Sequence, residues 1–151
     1  MVKNSRNSNQ RVVVTGLGVV SSIGIGWQEF WKNLLAGKSG ISKITSFDTS
    51  KYDHHYAGEV KNFNPCQFMD KRKADRMGRA SQMAVAATKL ALEDAGISRS
   101  FLSKNVMGFC VGTTMGESQI IEGEIEKQVK GREKPSSILA LGYPASSIIS
   151  N

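Results

Sequence analysis

Residues that usually announce chemistry are scarce in this chain. It has two cysteines, two histidines and three prolines among 151 residues. Cys66 and Cys110 show neither metal-ligand nor redox spacing, which excludes a zinc ribbon and a CxxC couple. Cys110 ends an apolar run and reads as a small buried hydrophobe, while Cys66 follows Pro65 in a loop. Both are expected to be free thiols, as in a reducing cytoplasm. His54 and His55 are adjacent, so they cannot share one face of a helix or strand. With no third ligand at a useful spacing, Asp53-His54-His55 reads as a solvated stretch, and neither a metal nor a cofactor is implied. No run of about 18 apolar residues occurs, which excludes a membrane-spanning helix. The opening MVKNSRNSNQ has no apolar segment, so it is no secretory signal and is expected to form a short disordered arm over residues 1–10. Repeats, low-complexity tracts and linker-like stretches are missing too, and the length suits one domain, residues 11–151.

Acidic residues are the other shortage, 13 against 20 basic ones, for a net charge of +7. Such a balance suits an acidic partner. Lys71, Arg72, Lys73, Arg76 and Arg79 form one basic concentration, and Lys127, Lys130, Arg132 and Lys134 another. They are not interleaved with aromatics or set on a known reading helix, so nucleic-acid binding would rest on net charge alone. A solvated charged face is the plain alternative.

What the chain does have is an organising stretch, Arg11 to Gly24, RVVVTGLGVVSSIG. Val12, Val13 and Val14 are a β-branched run, which predicts a strand buried on both faces. Gly16 and Gly18 then predict a turn through backbone conformations closed to residues with a Cβ. A buried strand running into a Gly-rich turn delivers a loop to the working edge of an α/β sheet. Gly16-x-Gly18-x-x-Ser21 falls one residue short of a dinucleotide fingerprint. That fingerprint also needs a helix directly after the glycines and a second strand ending in an acid about 20 residues on. Here two more apolar residues and a second turn intervene, and no strand precedes Asp48.

Further along, Trp27, Phe30, Trp31, Leu34 and Leu35 recur at helical spacing and predict a helix over Gly26–Ala36 that packs its apolar face on the strand. Lys38–Pro65 has no helical period and reads as extended pieces and loops. Phe68–Met77 reads as a short basic helical piece. Arg79–Ala95, rich in alanine at helical spacing and closed by Gly96, reads as a long core helix. Val106–Gly112 is a second buried-strand candidate, followed by a turn at Thr113–Gly116. Met115, just past that strand, could line an acyl pocket, because an unbranched thioether adapts to flexible chains. Glu117–Lys130 reads as a charged helix, Gly131–Ser137 as a basic loop, and Pro144 as a first helical residue.

The stretch RVVVTGLGVVSSIG, then Trp31–Gly40 (WKNLLAGKSG), Phe47-Asp48-Thr49-Ser50 and Tyr56-Ala57-Gly58, in this order and spacing, resembles the opening of a β-ketoacyl-[acyl-carrier-protein] synthase, most like type II of bacterial fatty-acid synthesis. The resemblance covers residues 11–151. It implies an α/β chain forming the incomplete N-terminal part of a thiolase-like αβαβα layered fold, and a homodimer in the full-length family. It also implies a decarboxylative Claisen condensation, in which a Cys accepts an acyl chain from an acyl carrier protein and two His help decarboxylate the malonyl carrier protein. That family nucleophile lies in an Ala-Cys-(Ser/Thr) motif past the stretch matching Tyr143–Asn151, and both His lie further on. Cys66, Cys110, His54 and His55 match none of them, so no catalytic residue is assigned and the chain alone is expected to be inactive.

Non-catalytic features do carry over. Lys71, Arg72 and Arg76 match the basic helix where the acidic carrier protein docks, and Arg132 and Lys134 match a second basic contact. Asp75 stands where the family has a basic docking residue. Met115 matches the position gating the acyl pocket. Leu141, Gly142 and Tyr143 match a largely aromatic pocket-lining stretch, aromatic here only at Tyr143. The expectation is therefore the N-terminal portion of a ketosynthase that works with its C-terminal portion. The alternatives are a non-catalytic subunit of a split ketosynthase and a small carrier-protein-binding protein.

The resemblance also implies a sheet whose other strands this chain does not supply, leaving edges and apolar faces open to water. The isolated chain is expected to be aggregation-prone or partly folded. A sharp cooperative thermal transition in a monomeric sample would refute this.

Overall fold

The computed structural model describes residues 11–131. The expected arm over residues 1–10, and Arg132, Lys134, Gly142 and Tyr143, lie outside the described residues.

The chain first runs extended to a small hairpin of β1 (Val20–Ser21) and β2 (Gly24–Ile25), antiparallel, with Val20 opposite Ile25 and Ser21 opposite Gly24. Gly26 follows at φ 88, a conformation that a side chain would strain, and opens α1 (Trp27–Leu35). Glu29, in the first turn of α1, reaches back past the N-cap to accept from the Ile25 amide at 2.9 Å, while the Gly26 amide itself donates to the Val19 carbonyl at 2.8 Å. A second hairpin pairs β3 (Ser42–Lys43) with β4 (Tyr56–Ala57). Then come a 3-10 turn (Pro65–Gln67), α2 (Lys71–Ala74), α3 (Arg79–Asp94), α4 (Arg99–Lys104) and α5 (Ser118–Val129). Helices α1, α3 and α5 fall where the apolar spacing puts them, α2 is a single turn, shorter than the expected Phe68–Met77, and α4 is unexpected. This helix has no apolar period, and Ser98 starts it by accepting from the Phe101 amide at 3.2 Å.

Helix α3 is the centre of the molecule. Its C-terminus closes with the Ile97 amide on the Leu92 carbonyl (2.9 Å) and Gly96 at φ 67, the Schellman geometry that a glycine after an alanine-rich run permits. Asp94, at its end, accepts from the Leu17 amide (2.9 Å) and from Trp27 Nε1 (2.6 Å). One carboxylate thus ties the entering chain and α1 to α3. Buried apolar side chains are few among the described residues: Phe63, Ala74 and Ala86. Phe63 stacks on Phe68 at 5.9 Å between ring centroids.

Several expectations fail for one shared reason. Val12–Val14 and Val106–Gly112 run without a ladder partner among the described residues, so neither is a paired strand. Val12 is 101% exposed, Val106 104%, and Cys110 is exposed rather than buried. Both apolar runs are suited to a sheet interior, but among the described residues no neighbouring strand covers them. The apolar stripe of α1 is likewise open at Trp31, Leu34 and Leu35, with only Trp27 and Phe30 half-buried.

Gly16 and Gly18 serve a different purpose from the one expected. Neither has a positive φ. Instead the extended backbone lies directly on α3: a Cβ on Gly16 would strike the Ala91 carbonyl oxygen, and one on Gly18 the Ala87 carbonyl oxygen. Ala87, Ala91 and Ala95 make the small-residue stripe that receives it. Gly18→Ala is expected to cost about 1–3 kcal/mol through overpacking against backbone that cannot yield. Gly108→Ala, in open space, should cost little. Hydrogen exchange of the α3 amides in soluble protein checks the pair: equal protection in both variants would refute the close-approach account.

Candidate functional site

The basic cluster is set by local packing. Pro65 starts the 3-10 turn, and the Asn64 side chain caps it by accepting from the Cys66 amide at 3.0 Å. Helix α2 is only one turn long, so it needs outside support. Gln82 of α3 supplies that support, donating to the Ala74 carbonyl at 2.9 Å and the Met77 carbonyl at 3.1 Å. Ala74 is buried, and Lys71, Arg72 and Arg76 are all exposed. With Asp70 and Lys73 they line an open concavity of about 670 Å³. Asp75 sits at the C-cap of α2, exposed, and places a negative charge inside the basic face.

Arg79 does not join that face. It turns inward, donating to the Phe63 carbonyl (3.3 Å) and the Val60 carbonyl (2.9 Å), with its guanidinium 4.8 Å from the centre of the Phe63 ring. Its planar fork satisfies two loop carbonyls and stacks on the aromatic at once, which is a structural use of arginine.

Met115 lies on the turn between Thr113 and α5, 71% exposed. Thr113 Oγ1 accepts from the Gly116 amide at 2.9 Å, and Gly116 takes φ 58. The next residue, Glu117, is buried, with 4% exposure. Its carboxylate accepts from the Ala80 amide (3.3 Å) and the Ser81 amide (2.5 Å), the free N–H groups at the start of α3. The turn carrying Met115 therefore meets the segment just past Arg76. Glu117 is the residue that sequence reasoning missed. Its signal was Gly78, a helix start with no capping side chain ahead of a long alanine-rich run.

A separate cavity of about 240 Å³ is lined by Ser21, Ser22, Glu29, Glu59 and Lys61 among others. Glu59 accepts from the Thr45 amide and hydroxyl (both 2.9 Å) and from the Ser46 amide (3.0 Å). Hydrogen bonds from Ser46 and Thr45 hold its carboxyl down from 4.5 to about 2. His55 is half-buried and within 3.1 Å of the Thr49 hydroxyl, whereas its neighbour His54 is exposed, so only His54 is the solvated group expected. Among the described residues no group of three or more His, Cys, Asp or Glu could hold a metal ion.

The Glu59 anchor has a defined pH signature. Its folded pKa lies below the ordinary value, so its contribution is complete above pH 4.5 and is lost as pH falls toward 2. Exchange protection of the Thr45 and Ser46 amides should fall over that window and should be weak at every pH in Glu59→Gln. A pH-independent Glu59→Gln difference would refute the assignment.

Comparison with known proteins places this arrangement. The family model described as the β-ketoacyl synthase N-terminal domain matches residues 9–151. The 3-oxoacyl-[acyl-carrier-protein] synthase 2 of Synechocystis sp. is 39% identical over 115 residues, covering 76% of this chain and 28% of the relative. The protein of the same name from Vibrio cholerae is 40% identical, also covering 76% and 28%. Among solved structures, the ishigamide ketosynthase/chain length factor matches with a TM-score of 0.80 and 38% identity, over 92% of this chain and 35% of that one. A β-ketoacyl synthase from Burkholderia phymatum matches with a TM-score of 0.73 and 27% identity, over 93% and 35%. These neighbours are ketosynthases of thiolase-like fold, and this chain corresponds to only part of each. It spans about 28% of the length of the curated relatives it matches. On the match over residues 9–151, the chain belongs to the β-ketoacyl synthase family, as its N-terminal domain.

Proposed function

We propose that these residues serve as the N-terminal part of a 3-oxoacyl-[acyl-carrier-protein] synthase, which condenses acyl groups with a malonyl carrier protein in fatty-acid or polyketide synthesis. The observation that supports this most is the family match along almost the whole chain, joined to an exposed one-turn basic helix beside the Met115 turn. In this reading the chain supplies no nucleophile. Lys71, Arg72 and Arg76 steer and hold the acidic acyl carrier protein, with Arg132 and Lys134 as a second contact. Met115, Gly142 and Tyr143 line the acyl pocket. The remaining, C-terminal portion supplies the Cys and both His, and the open Val12–Val14 and Val106–Gly112 segments take their strand partners there. The assembled enzyme is a homodimer and works in the cytoplasm.

Size-exclusion chromatography with light scattering tests this, on the chain alone and co-expressed with a polypeptide carrying the C-terminal portion. A stoichiometric complex that elongates acyl carrier protein is the expected result. A soluble, folded monomer that neither joins that portion nor elongates would refute it, and would favour a small carrier-protein-binding protein. In the complex, Arg72→Glu with Arg76→Glu should weaken carrier-protein binding on the order of tenfold, and the wild-type affinity should fall with added salt. Unchanged binding would remove α2 from the docking surface.

A further inference from the structure

Glu117 does two things at once, and they can be separated. It caps the start of α3, a task that normally falls to a Ser, Thr, Asp or Asn at the N-cap. Here the N-cap is Gly78, with no side chain to offer, and a Cβ at that position would collide with the Glu117 carboxylate. The bare glycine is thus the space that the incoming carboxylate fills. Glu117 is also the N-cap residue of α5, whose Ile120 amide donates to its carbonyl at 3.0 Å. Two residues upstream, Met115 projects into solvent from a turn whose other internal tie is the Gly116 amide on Thr113 Oγ1.

We propose that Glu117 is a positioning residue: its buried carboxylate clamps the Met115 turn onto the start of α3 and so fixes where Met115 stands relative to the basic helix α2. Helices α2 and α3 are joined by the four residues 75–78, and Gln82 holds α2 to α3, so α3 is the common reference for both features. The two carboxylate oxygens engage two successive amides of a rigid helix, which restricts the turn far more than a single contact would. Any bearing of the clamp on the acyl pocket rests on Met115 lining that pocket; the clamp itself does not.

The test moves the cap without moving the turn. In Glu117→Ala, measured on soluble protein co-expressed with the C-terminal portion, amide exchange should rise on the order of tenfold or more both in the first turn of α3 and across Thr113–Glu117. Adding Gly78→Asp to Glu117→Ala gives α3 a local cap in the vacated space. That double variant should recover protection in α3 and stay fast across Thr113–Glu117. Recovery of both segments would overturn the proposal, because Glu117 would then be a helix cap and nothing more. An unchanged Thr113–Glu117 segment in Glu117→Ala would overturn it as well. If Glu117→Ala alone does not fold, the double variant, with its start of α3 restored, separates the same two outcomes. The readout is exchange rather than elongation or carrier binding, so its failure is distinct from failure of the functional reading.

Discussion

Everything described hangs on how closely a bare stretch of backbone can approach one helix. At Gly16 and Gly18 the entering chain rests on the carbonyls of Ala87 and Ala91, with no side chain between them. Dispersion at such distances is individually small and collectively large, and it requires small residues on both sides. The Asp94 carboxylate completes the contact by taking the Leu17 amide and the Trp27 indole. Once this contact forms, the hairpin of β1 and β2, α1 and the end of α3 are placed together. An extended segment on a helix is half of an α/β layer. The other half is a sheet, and its apolar demand is visible in the fully exposed Val12 and Val106.

The same helix organises the charged features. Its first turn receives Glu117, its Gln82 supports α2, and Arg79 reaches from it to Phe63 and Val60. Arg79 and Arg76 show how position rather than residue type decides the use of a cation. Three residues apart, one is packed on an aromatic with its carbonyl partners and the other is open to solvent. Asp75, at the C-cap of α2, cuts the positive potential of that helix from within.

Periodicity carried the helices. The spacing of Trp27, Phe30 and Leu34, and of the alanines of α3, placed both to within a residue or two, and Gly96 marked the end of α3 correctly. Helix α4 escaped because its start is a capping serine and not an apolar stripe. The strand signals at Val12–Val14 and Val106–Gly112 were real as composition, but pairing is a property of two segments and the second was never in the chain's local pattern. The two-residue strands of both hairpins are too short to leave any alternation. For the candidate site, the basic run at Lys71–Arg76 was legible as charge. The inward turn of Arg79 and the clamp by Glu117 were not, since both depend on partners 16 and 36 residues away in sequence.

The unprotected start of α3 has a consequence for biosynthesis. A helix that brings its own capping residue can close its first turn as soon as it leaves the ribosome. This one waits for a carboxylate 36 positions further along. At about 5–20 residues per second the delay is on the order of seconds, long compared with helix–coil relaxation in microseconds. During that interval the alanine stripe of α3 can meet Gly16 and Gly18, which are already synthesised, while its N-terminal turn frays. The cap at the start of α3 thus cannot form until Glu117 has been synthesised.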